Sequence, residues 1–200
     1  MELIIKMKAV KITKIALLFS LLSGTITFAQ DSPEIYFKKS SGKLYLMYKG
    51  KEYVVEQYDT DWADRKYFSL QYWSSPETGR LPEGLLLVMD RDNNVVKEFR
   101  NTEYHPDFIL YDVNGDRTLD LILLWNCGAH SKEVEVWLKK KDGFVKVFEK
   151  FNDKNVYFTI RDGVPTLAFK KEYPMSVFNH NFPDSDFEFY KWDGKEFVAE

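Results

Sequence analysis

Apolar residues along this chain fall in short runs, often alternating with polar ones, and turn-forming residues separate the runs. Leu44-Tyr45-Leu46-Met47-Tyr48, then Lys49-Gly50-Lys51, then Glu52-Tyr53-Val54-Val55 reads as strand, turn and strand. Residues 85–89 and 95–99 form a second such pair around the polar stretch 90–94. Three more pairs surround Asp142-Gly143, Asp162-Gly163 and Asp193-Gly194. Asp-Gly between apolar alternations marks a hairpin, because glycine accepts the positive φ of the turn. Helical periodicity of useful length is scarce, so the pattern predicts an all-β fold of antiparallel hairpin repeats. Similar points recur at roughly 40–55 residues, the spacing of a small β-propeller-like array; a β-sandwich or a barrel is the alternative.

Two stretches depart from this pattern. Tyr58-Asp59-Thr60-Asp61-Trp62-Ala63-Asp64-Arg65 is acidic and lacks a strand period, and residues 74–82 are a loop by composition. Between them, residues 67–73 read as one more strand. Another loop, residues 179–186, precedes the last hairpin. Long loops on a β scaffold are where binding function concentrates.

The first thirty residues change the picture of compartment. Lys6, Lys8, Lys11 and Lys14 precede an apolar core starting at Ile15, and Thr27-Phe28-Ala29 offers small residues before a cut ahead of Gln30. Residues 1–29 therefore read as a secretory signal peptide, and 30–200 as a single all-β domain, periplasmic or extracellular. The apolar run is short for a membrane span and is broken by Ser23-Gly24-Thr25. No membrane span is expected in the mature chain. Losing four lysines and Glu2 moves the formal charge from −3 to −6. A mildly acidic chain without a basic stripe is a poor partner for nucleic acid. Cys127 is the single cysteine, so no intramolecular disulfide forms.

The richest chemistry lies in Asp112-Val113-Asn114-Gly115-Asp116-Arg117-Thr118-Leu119-Asp120. Asp112, Asn114, Asp116 and Asp120 put oxygen-bearing side chains at alternate positions, and Thr118 adds a backbone carbonyl. Ca²⁺ is a hard cation taking six to eight oxygen ligands, which one tight loop can supply from positions 1, 3, 5, 7 and 9. Mg²⁺ demands stricter octahedral geometry, and zinc prefers nitrogen and sulfur. The apolar runs 108–111 and 121–125 place the loop between two buried strands. Leu123 at position 12 supplies no bidentate carboxylate, so the expected affinity is about 10⁻⁴–10⁻³ M, as in extracellular modules. Asn114-Gly115 is also a plain hairpin signal, and a metal-free turn is the competing reading.

This loop and its flanking runs resemble the calcium loop of FG-GAP or VCBS-type repeats, the propeller blades of integrin α-subunits and many secreted bacterial proteins. Gly128-Ala129-His130-Ser131, Val134-Glu135-Val136-Trp137-Leu138 and Phe144-Val145 also resemble small periplasmic propeller proteins that inhibit lysozyme. The resemblance implies a calcium-stapled β module that binds another macromolecule.

The remaining constellations are weaker. Cys127 and His130 have C-x-x-H spacing, but a zinc site needs two further ligands. Asp59, Asp61 and Asp64 beside Trp62 offer the carboxylates and aromatic surface of a glycan hydrolase. Lys139-Lys140-Lys141 reads as a solvated hairpin end. The reading favours an exported binding module over an enzyme, with calcium mainly structural. Its protein or glycan partner is expected at Trp62, Trp73, Gly128, His130 and Ser131. The alternatives are a hydrolase using the acidic loop and a structural envelope component.

Overall fold

The computed structural model describes residues 3–5 (backbone only), 35–72, 83–128, 130–171 and 184–200. These form fifteen strands and a single 3-10 turn at Asp184–Asp186. Most of the expected signal peptide, Trp73, the expected loop at 74–82 and residues 179–183 lie outside the described residues.

The strands follow one another as antiparallel meanders in three sheets. The first holds β1 (Leu3–Ile5), β2 (Tyr36–Ser40), β3 (Lys43–Tyr48), β4 (Lys51–Thr60), β5 (Lys66–Tyr72), β6 (Glu83–Met89) and β7 (Val95–Asn101). The second holds β8 (His105–Tyr111), β9 (Asp120–Asn126), β10 (Lys132–Lys140) and β11 (Gly143–Asn152). The third holds β12 (Val156–Arg161), β13 (Val164–Lys170), β14 (Phe187–Trp192) and β15 (Phe197–Ala199). The all-β expectation of antiparallel hairpins holds, and all five expected turns join neighbouring strands. No sheet closes into a barrel among the described residues. The acidic stretch after Tyr58 differs from expectation: β4 continues to Thr60 before the chain turns. Its last residues are mostly exposed, so no apolar alternation marks them. β1 falls inside residues 1–29, the expected signal peptide, and pairs with β2.

The continuous apolar runs 85–89 and 121–125 form strands buried on both faces. Leu85, Leu87 and Met89 pack with Leu46, Tyr48, Tyr53, Phe68 and Leu70, while Leu86 and Val88 turn the other way. On β9, Leu121, Leu123 and Trp125 join Leu86 and Val88, and Ile122 packs with Leu167, Phe169 and Phe197 of the third sheet. The second sheet is thus a middle layer. Fully burying one such side chain contributes about 1.5–3 kcal/mol.

The seven-stranded sheet is itself folded over. Tyr48 on β3 donates its hydroxyl to Glu98 on β7, and Lys49 reaches the same carboxylate at 2.6 Å. Four strand spacings separate β3 from β7, which is about 19 Å in a flat sheet. Only strong bending brings them together, and a bulge between Val55 and Gln57 interrupts the β4–β5 ladder. At that bulge Gln57 imitates a strand. Its side-chain amide donates to the Phe108 carbonyl at 2.8 Å and accepts from the Phe108 amide at 3.0 Å. This tie joins the first sheet to β8, whose own ladder partner is β9.

Candidate cation loop and adjoining cleft

Three turns meet at one end of the layered stack. They are the β4–β5 turn, the β8–β9 loop and the β10–β11 turn. Together they line a cleft of about 520 Å³ through Asp61, Trp62, Arg65, Asp116, Arg117 and the lysines 139–141.

Asp61 builds the floor. Its Oδ1 accepts the amides of Ala63 at 2.8 Å and Arg65 at 3.0 Å, which shapes the tight turn. Its Oδ2 accepts the Tyr67 hydroxyl at 3.0 Å and the Lys139 ammonium at 2.6 Å. The pair is nearly dry, with side chains 1% and 9% exposed. Burial acts to raise the Asp61 pKa, but Lys139 and the two amides outweigh it and hold the carboxyl below its ordinary range. Tyr67 is pushed above the ordinary tyrosine value by burial first and by the Asp61 charge second. Asp90 and Asp193 repeat the turn chemistry: each carboxylate accepts two amides of the turn that follows. Trp62 stands out from the Asp61 turn with 72% of its surface exposed.

The β8–β9 loop is wound around its own oxygens. Asp112 Oδ2 accepts the Arg117 amide at 2.8 Å, Asn114 Oδ1 accepts that of Asp116 at 2.9 Å, and Asp116 Oδ1 that of Thr118 at 2.9 Å. Gly115 and Arg117 both take positive φ, 74° and 65°. Arg117 thus adopts the left-handed conformation that glycine takes without penalty. Asp120 is fully buried beneath the loop, where Oδ2 accepts the Val113 amide at 3.1 Å and Oδ1 the Lys139 amide at 2.8 Å. Burial pushes its pKa up to about 6, with the charges of Asp116 and Asp112 adding to the rise.

The fit of a cation turns on one atom. Asp112 Oδ1 is buried and accepts no hydrogen bond. An unsatisfied buried acceptor costs about 1–3 kcal/mol, and a hard cation removes that penalty. Asp112, Asn114 and Asp116 would hold the ion with the Thr118 carbonyl. Asp120 already serves two amides and sits behind them. Among the described residues no three His, Cys, Asp or Glu side chains form a ready-made metal cluster, so the loop depends on Asn114 and a backbone oxygen as well as carboxylates.

The other expected site residues lie elsewhere. Gly128, His130 and Ser131 occupy the β9–β10 turn, closed by the Cys127 amide donating to the Ser131 carbonyl at 3.0 Å. That turn is at the far end of β9 from Asp120, about 20 Å away along seven residues of strand. Trp62 therefore lies toward one end of β9, and Gly128, His130 and Ser131 toward the other. Trp73 lies outside the described residues. The Cys127 thiol is pushed up by burial, as suits a packed side chain. Asp59 and Asp64 are exposed; Asp59 bonds the Thr60 amide, and Asp64 lies 3.7 Å from Arg91. Sequence reasoning missed Lys139, whose neighbours Lys140 and Lys141 made it look solvated. No local signal marks it, because Asp61 and Asp120 are brought to it from distant parts of the chain.

No protein-family model, curated protein or solved structure matches this chain in comparison searches.

Proposed function

We propose that the chain is an exported binding module in which a calcium-stabilised loop supports a recognition cleft for a protein or glycan. The observation that carries this reading is the meeting of two features far apart in sequence. The loop residues Asp116 to Leu119 and the exposed Trp62 line the same cleft. A large exposed aromatic beside a rigid concave surface is typical of recognition sites. Calcium fixes one wall, and the Asp61–Lys139 pair fixes the floor.

Binding fits the cleft better than hydrolysis does. Every oxygen of Asp61 is engaged by a turn amide, Tyr67 or Lys139. A general acid needs a proton to give at the operating pH, whereas Asp61 is held ionised. Inhibition of lysozyme is one concrete version of the proposal, and it rests on the resemblance of the loop and the segment after it. The test is a lysozyme turbidity assay in calcium, run beside partner capture with intact protein and with Trp62→Ala. Inhibition or capture that Trp62→Ala abolishes supports the reading. Capture that survives unchanged removes the cleft from the function.

A further inference from the structure

The charges around the cleft are uneven. Arg65, Arg117, Lys139, Lys140 and Lys141 line it against only Asp61 and Asp116. Lys139 is neutralised by Asp61 at 2.6 Å, and Lys140 faces Asp116 at 3.8 Å. Among the described residues no carboxylate pairs with Arg65, Arg117 or Lys141. A chain that is acidic overall thus gathers unpaired cations at a cleft carrying an exposed tryptophan. At physiological salt the screening length is about 8 Å, so a ligand inside feels these cations more than the distant acidic surface.

Trp62, Ala63 and Leu119 are the apolar members of the lining, and the rest is polar or charged. An apolar peptide anchor finds little to bury there. A sugar does better: its C–H face can lie on the indole while its hydroxyls meet the polar wall. The volume of about 520 Å³ lies within the range of small-ligand sites.

We infer that the cleft takes a carboxylated saccharide, with one ring against Trp62 and its carboxylate among Arg65, Arg117 and Lys141. This deepens the recognition-cleft reading and rests on it. Arginine binds carboxylate through paired N–H donors, and Lys141 adds a movable charge at the rim.

The test uses the mature chain in calcium, titrated by tryptophan fluorescence and calorimetry. The probes are trigalacturonic acid, neutral maltotriose and a glutamate-rich hexapeptide. The variants are Trp62→Ala and Lys141→Glu, at exposed positions where the melting temperature is expected to hold. Trigalacturonate is expected to bind at least tenfold more tightly than maltotriose and to weaken with added salt. Each variant should weaken it roughly tenfold, through lost stacking or reversed charge. Maltotriose binding as well as the acidic sugar overturns the inference, as does failure of all three probes. Peptide binding that depends on Trp62, without sugar binding, overturns the saccharide class and leaves the cleft a partner site. Trigalacturonate binding indifferent to both variants overturns the cleft reading as well.

Discussion

Lys139 sets its ammonium 2.6 Å from the carboxylate of Asp61, a residue 78 positions earlier in the chain. Its own backbone amide meanwhile donates to Asp120. One residue therefore ties the Trp62 turn of the first sheet to the β8–β9 loop of the second. Removing one partner of a dry ion pair leaves the other charge buried, at a cost of about 3–5 kcal/mol. Asp61→Asn should lower the denaturation free energy by that order. Asp61→Asn with Lys139→Met should recover much of it, measured by urea unfolding. Equal stability of the single variant and the parent would show that the pair does not hold the cleft.

The pH response should have two opposing parts on the acid side. Asp61 titrates below its ordinary 3.8 in the fold, so its contribution is complete above about 3.8 and lost as pH falls further. Asp120 is raised from 3.8 to about 6, so its contribution is complete below 3.8 and lost as pH rises to about 6. Without calcium, stability should therefore decline from about pH 4 to 6 through Asp120. A calcium ion in the loop would favour the ionised form of Asp120 just behind it, so its stabilising effect should be larger at pH 7 than at pH 5. Melting curves at the two pH values, with calcium and with chelator, check this. A calcium increment that is the same or smaller at pH 7 would contradict the role given to Asp120.

Gly84 is required by packing rather than by a turn. A Cβ there would meet the Tyr104 carbonyl and approach the His105 Cα to 2.6 Å. Both obstacles are backbone and cannot rotate away. Gly84→Ala should cost about 1–3 kcal/mol through overpacking, read from thermal unfolding. A neutral result would mean that β6 and the start of β8 do not approach as closely as described.

Arg117→Gly separates the two roles of the loop. At φ 65° glycine relieves left-handed strain, offset in part by its greater freedom when unfolded. The expected outcome is a stability gain of up to about 1 kcal/mol. Calcium affinity should be kept or improved, while the cleft loses a cation. Weaker calcium binding in this variant would show that the arginine side chain, not the backbone bend, supports the loop.

The hairpins were legible because each Asp-Gly or Lys-Gly pair and its flanking residues act locally. The loop 112–120 was legible for the same reason, since its ligand spacing is written in consecutive residues. The layering was not. Runs such as 85–89 signal burial on both faces, but nothing local tells which sheet covers which face. Gln57 looks like any polar strand residue until Phe108 is beside it. Lys139 looked solvated because its neighbours are; its burial depends on Asp61, which only the tertiary fold brings near. That Trp62 and His130 lie near opposite ends of β9 was not legible either, because sequence shows residue types but not which end of the stack a turn occupies.

Calcium titration of residues 30–200 by calorimetry, paired with Asp112→Ala, tests the central claim most directly. Asp112 Oδ1 is the buried oxygen that the ion would satisfy. The account predicts saturable binding of one ion per chain, a higher melting temperature in calcium, and loss of both in Asp112→Ala. Absence of heat and of any melting shift, or binding unchanged by Asp112→Ala, would contradict it.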